Sequence, residues 1–189
     1  MTQQGKNAID LVLAESLKEL SAKKPIDKIT IKEITDKAGV IRPTFYNHFQ
    51  DKYELIEWII KTELLEPIKP LLNAGMIFEA IVLMLNNISA NSVFYKKALK
   101  LEGAVTFNQI AMKCVCEMFM NIISEKSTGK KSKYRWLTPE VISTYYAQSL
   151  CFITEGWIAQ GMDDIEPKEM AEAYMYLITR SMDDILSEL

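Results

Sequence analysis

The chain has 189 residues, of which 49% are hydrophobic and 25% charged, a balance that excludes a mainly disordered chain. Seven Gly and six Pro leave long helices little opposed, and three Cys provide neither a paired disulfide framework nor zinc-ligand spacing, which points to a reducing cytoplasm. A formal net charge of -3 excludes a uniformly basic nucleic-acid coat, so any contact with nucleic acid has to be local.

The first seven residues are polar and lack the apolar stretch of an export signal. Ile9, Val12, Leu13, Leu17 and Leu20 then recur at helical spacing, which predicts an amphipathic helix ending near Lys23, Lys24 and Pro25. Thr30 with Glu33 forms a capping box, flanked by Ile29 and Ile34 as a hydrophobic staple, so a short helix starts at a specified point. It ends at Ala38 and Gly39, where glycine suits a left-handed exit and Val40 can plug the core behind the turn. A second short helix follows over 42–49.

Asp51 and Glu54 predict the start of a longer helix through Leu55, Trp58, Ile60 and Leu64, which Pro67 and Pro70 end or kink. Further helices are expected over 77–88, 95–101 and on to about residue 124, with a polar loop over 125–136. The cations between Lys126 and Arg135 read as a solvated loop. Cys114 and Cys116, two apart in a helix, point to opposite sides and suit buried thiols better than a shared metal. Thr138 with Pro139 opens another helix. Its stretch 141–154 carries no charge, but it is too short and too rich in Ser, Thr and Gln for a membrane span of roughly 20 apolar residues. Pro167 opens a final helix to about residue 186 with an apolar stripe.

A helix, a short capped helix, a glycine turn and a second short helix are the parts of a helix-turn-helix. In the second short helix Phe45 and Phe49 lie four apart and face the core, leaving Arg42, Thr44, Tyr46, Asn47 and His48 on or near the other face. Arg and Asn match guanine and adenine edges in the major groove, whereas Tyr, His and Lys serve phosphates. The segment 28–52 holds five cations (Lys28, Lys32, Lys37, Arg42, Lys52) against three anions (Glu33, Asp36, Asp51), a locally positive footprint in an acidic chain.

These residues carry a family resemblance. Ile31, Lys32, Glu33 and Ile34, then Ala38, Gly39 and Val40, then the run from Thr44 to Lys52 (Thr, Phe, Tyr, Asn, His, Phe, Gln, Asp, Lys) resemble the DNA-binding domain of TetR-family transcriptional regulators. The resemblance implies an all-α protein. Its residues 1–52 would form a three-helix DNA-binding domain with the helix-turn-helix. Residues 53–189 would form a helical ligand-binding and dimerisation domain, with the helix from about 51 shared. It further implies that Thr30, Tyr46, His48 and Lys52 contact phosphates and that Arg42, Pro43, Thr44 and Asn47 lie over bases. Ile41 and Pro43 depart from the Ser and small residue common there, which leaves base preference open. The implied partners are double-stranded operator DNA, a second copy of the chain and a small-molecule effector, with no membrane, metal or cofactor. Repression is the family's usual direction. The pieces Phe94, Tyr95, Lys96, Lys97 and Tyr134, Arg135, Trp136 are similar to a DhaS-like subgroup of activators, which keeps activation open.

Thr144, Gln148 and Glu155 share one stripe of the uncharged helix, which either lines a cavity or pairs across a dimer interface. With Phe107, Tyr145, Phe152 and Trp157, the residues Gln148 and Glu155 make the candidate pocket. An enzyme is disfavoured by a single histidine, no metal-ligand spacing and no nucleophile beside an evident base. A helical interaction module without DNA binding stays open as a rival. Pairing is expected through the helices over 138–160 and 167–186.

Overall fold

The computed structural model describes residues 3–103, 105–126 and 133–188, and among them there is no β-strand. Part of the cationic loop expected between Lys126 and Arg135, residues 127–132, lies outside the described residues. Helix α1, Gln3–Ser21, buries Leu13, Ala14 and Leu17 completely, while Leu11 and Val12 face outward. A single 3-10 turn at Ile26–Lys28 turns the chain into α2, Ile31–Ala38. The capping box forms as its sequence predicts. Thr30 Oγ1 accepts from Glu33 N at 3.3 Å, and Glu33 Oε2 accepts from Thr30 N at 2.9 Å.

Gly39 closes α2 at φ 69°, ψ 27°, and Val40 N donates to Thr35 O at 3.0 Å, so the last carbonyls of the helix are satisfied. A Cβ at Gly39 would meet nothing within 4 Å, which makes backbone conformation the sole objection to a side chain there. Gly39→Val is therefore expected to cost about 1–2 kcal/mol and Gly39→Asn much less. Equal losses of thermal stability in the two variants would contradict that account.

Helix α3, Arg42–Tyr46, ends one turn short of the expected Phe49, although Phe49 N still donates to Phe45 O at 2.8 Å. Helix α4, Lys52–Ile59, starts at Asp51, whose carboxylate accepts from the amides of Tyr53 and Glu54. It does not stop at the prolines. A π-helical segment, Ile60–Leu65, leads straight into α5, Glu66–Asn73. Pro67 has no N–H for the carbonyl of Glu63, four residues back, and its ring would crowd that carbonyl. The wider turn makes room, and Asn87 Nδ2 donates to Glu63 O at 3.0 Å.

Helices α6, Ile77–Ala90, and α7, Ser92–Ala98, meet at an 88° bend and bury Met84, Ile88, Phe94 and Tyr95. Among the described residues no single helix is long and apolar enough to cross a membrane. Helix α8, Phe107–Lys126, packs along α9, Pro139–Ala159, in the most extensive helix pair of the molecule, and α10, Pro167–Thr179, packs on α6. The single final helix expected to about residue 186 is interrupted. Arg180 is extended, Ser181 exchanges hydrogen bonds with Asp184, and α11, Met182–Glu188, restarts from that cap. One continuous core runs from Leu13 in α1 to Tyr174 in α10.

Candidate nucleic-acid interface

Phe45 is fully buried and Phe49 nearly so. Their ring centroids lie 5.9 Å apart, and Phe49 meets Trp58 of α4 edge-on at 6.3 Å. This aromatic anchor fixes which face of α3 points out. Arg42, Pro43, Tyr46 and Asn47 are exposed, Thr44 is half-buried and Ile41 stands 69% exposed at the helix entrance. Arg42 donates to Tyr46 Oη at 3.2 Å, and its guanidinium carbon lies 5.9 Å from the Tyr46 ring centre, which pre-orders two of the presented side chains against each other. Pro43 occupies the first turn of α3, where its missing N–H costs nothing.

Three of the residues expected on phosphates have partners within the protein. The imidazole of His48 is 2% exposed, and its Nδ1 donates to Asp10 Oδ1 of α1 at 2.6 Å, while Nε2 is buried without a partner. Lys52 Nζ donates to the carbonyls of Ile26, Asp27 and Ile29 at 2.9, 2.7 and 3.0 Å, so all three of its N–H bonds are used inside the protein. Burial lowers the Lys52 ammonium from its ordinary value, against a raising effect of Asp27. Thr30 is exposed, but its hydroxyl serves the capping box, donating to Glu33 Oε2 at 2.8 Å. Lys24, with Thr30, holds the Glu33 carboxyl down at about 2. Asp10 carried no sequence signal, because its partner lies 38 residues away.

Helix α4 ties the helix-turn-helix to the rest. Glu57 accepts from Lys61 at 2.7 Å and from Lys113 of α8 at 2.8 Å. Burial alone would raise its carboxyl, and the two ammoniums outweigh that and hold it below the ordinary range. Lys61 also pairs with Glu117 at 2.7 Å, and Lys18 of α1 bonds Glu63 at 2.8 Å. A movement of α8 is thus felt by α4, and a movement of the π-helical segment by α1.

Between the π-helical segment and helices α6 to α9 lies a cavity of about 40 Å³. Of the six residues expected around a ligand, Phe107 and Glu155 line it, and Glu155 accepts from Asn108 Nδ2 at 2.8 Å. Tyr145, Gln148 and Phe152 do not. They face outward from α9, Phe152 being 76% exposed, because the uncharged helix turns Ser143, Ala147, Leu150 and Cys151 inward. Trp157 is core, with Nε1 donating to Ile165 O at 2.8 Å to hold the loop after α9. Burial pushes the Cys114 and Cys151 thiols up to about 12, which leaves them as inert packing groups. Among the described residues no cluster of His, Cys, Asp or Glu is placed to hold a metal ion.

A family model described as "Bacterial regulatory proteins, tetR family" matches residues 15–59, and one described as "Transcriptional regulator C-terminal region" (TetR_C_8) matches residues 76–180. Among curated proteins, the chain is 27% identical over 152 residues to the HTH-type dhaKLM operon transcriptional activator DhaS of Lactococcus lactis subsp. lactis (strain IL1403), covering 79% of each. Among solved structures, it resembles the dihydroxyacetone kinase operon activator DhaS with a TM-score of 0.60 at 21% identity over 95% of both chains. It also resembles NalD, the secondary repressor of the MexAB-OprM multidrug efflux pump in Pseudomonas aeruginosa, with a TM-score of 0.60 at 12% identity over 92% of this chain and 96% of that one. The all-helical architecture and the two matched regions place the presented α3 face and the larger helical bundle in one frame, and the chain belongs to the TetR family of bacterial transcriptional regulators.

Proposed function

We propose that the chain is a ligand-responsive repressor that works in the cytoplasm as a homodimer on operator DNA. The observation that carries this reading is the exposed α3 face of Arg42, Pro43, Tyr46 and Asn47 over a buried Phe45 and Phe49 anchor. Residues 1–52 serve as the reading head. Residues 53–189 serve as the regulatory and pairing part, with the helix from about 51 common to both. Two copies pair through the outward faces of α9 and α10 and hold their α3 helices in successive major grooves, so inverted half-sites lie about 34 Å apart or a multiple of it.

On this reading Arg42, Pro43, Thr44 and Asn47 lie over bases and Tyr46 reaches a phosphate, while His48 and Lys52 keep the reading helix in place. Effector entry in the regulatory part moves Ile60, Leu64 and Leu65, which line the cavity and continue α4 directly. The effector weakens operator binding by the ratio of its affinities for the two arrangements, so a few kcal/mol suffice. No covalent step is involved.

The experiment is a titration of labelled DNA from upstream of the chain's own gene, against scrambled DNA, at several salt concentrations. Arg42→Ala is expected to cost about 1–3 kcal/mol on the operator and to shrink the preference over scrambled DNA, whereas Tyr46→Ala weakens both DNAs alike. Wild-type protein that binds both DNAs equally, or neither, would overturn the reading. A second reading, activation, is favoured by the similarity to the activator DhaS at 27% identity. Transcription from that promoter with and without the protein decides the sign.

A further inference from the structure

The cavity beside the π-helical segment is one of two chambers that share a wall. The second, between α5, α6, α8, α9 and α10, measures about 390 Å³ and is walled by Ile81, Met118, Ile142 and Ile178 among others. Among the described residues, Met84 and Leu150 alone belong to the walls of both chambers. Met84 is unbranched and 4% exposed, a partition that can swing without breaking a hydrogen bond.

Among the described residues the small chamber is lined by apolar side chains apart from Tyr95, Thr154 and Glu155. Tyr95, fully buried, and Thr154 both line it, and both hydroxyls are buried with no hydrogen-bond partner. Two orphaned hydroxyls in one apolar cavity cost free energy unless something bonds them. Each can donate and accept. Burial also pushes the Tyr95 phenol well above its ordinary value, with Glu63 adding to the effect, so it stays protonated. Among the described residues no Lys, Arg or His lines either chamber, so an anionic head would be desolvated there without a counter-charge. Among the described residues Glu155 is the one charged wall residue, and it is held by Asn108. The large chamber exceeds the roughly 150 Å³ apolar void that admits benzene, so it has room for an apolar tail.

We propose that the effector is an uncharged amphiphile, with one hydroxyl or carbonyl head bonded to Tyr95 and Thr154 and an apolar tail that displaces Met84 and Leu150 to enter the second chamber. This rests on the reading of residues 53–189 as an effector-binding part. The tail occupies the space between α6 and α9, and the head sits against Ile60, Leu64 and Leu65 of the segment that continues α4.

The test is calorimetric titration of the full-length protein with 1-decanol, 1-butanol, decane, decanoate and decylamine, with operator affinity measured in parallel. Decanol is expected to bind saturably and more tightly than the other four, with affinity rising about fourfold per methylene across the alcohols. Tyr95→Phe removes only a hydroxyl that has no partner in the empty protein, so folding is not at risk. That variant should bind decanol about 3- to 10-fold more weakly and decane unchanged. Decanoate or decylamine binding as tightly as decanol, decane equalling decanol, an unaffected Tyr95→Phe variant, or no binding of any probe would each overturn the proposal. In the last case, salt-sensitive operator binding by the same protein leaves the regulator reading standing. Saturable decanol binding without any operator binding does the reverse.

Discussion

Phe152→Glu is expected to convert the proposed dimer into monomers and, with it, to abolish operator binding. Tyr145, Gln148, Phe152, Gly156 and Ala159 recur at helical spacing along one exposed face of α9, and the adjoining α10 exposes Leu177. A protomer with Phe152 and Tyr145 standing 76% and 65% exposed presents an exposed apolar patch of the kind that marks an interface. In a two-fold interface the same patch meets itself, so one substitution places two carboxylates in the contact. Their desolvation is expected to cost about 3–6 kcal/mol of dimer free energy, or a 10²- to 10⁴-fold rise in the dissociation constant. Sedimentation velocity reads this directly. The protomer itself loses no core contact, so helical content should be retained. A variant that still sediments as a dimer at the same concentration would remove α9 from the interface.

The features most legible in the sequence are those set by neighbours in the chain. Thr30 with Glu33, Gly39, and Thr138 with Pro139 act within one turn of themselves, and each element they announce begins or ends where they stand. The Ser181 and Asp184 cap is equally local, but the unbroken apolar stripe on both sides of it hides the interruption. The prolines at 67 and 70 announce a disturbance, but the π-helical solution depends on Asn87, 24 residues from the carbonyl it rescues. For the same reason the roles of His48 and Lys52 are invisible locally. The family resemblance marks both as DNA ligands, whereas Asp10 and the turn at 26–29 decide where their nitrogens point. The uncharged α9 poses a different difficulty: a helix apolar on both faces carries no sign of which face is core. Tyr145 and Phe152 therefore read as pocket residues until packing turns them outward.

Lys52→Ala is expected to destabilise the DNA-binding end by about 2–4 kcal/mol and to weaken operator binding without changing its salt dependence. The 3-10 turn at Ile26–Lys28 leaves carbonyls pointing the same way, and the Lys52 ammonium meets three of them. Position 52 is the first residue of α4, where the helix dipole disfavours a cation, so the three carbonyls have to outweigh that repulsion as well as partial burial. Alanine leaves the carbonyls to whatever water can reach them and unties α4 from the turn between α1 and α2. Lys52→Arg should rescue poorly, because a planar fork cannot aim three donors at one compact cluster. The alternative role makes an opposite prediction. A lysine that neutralises a phosphate would, once removed, flatten the slope of log affinity against log salt by about 0.9 and leave unfolding unchanged. Thermal unfolding and a salt titration of the same variant separate the two. A lowered melting temperature with an unchanged slope identifies a lock on the reading head, and a flattened slope with unaltered melting returns Lys52 to the DNA.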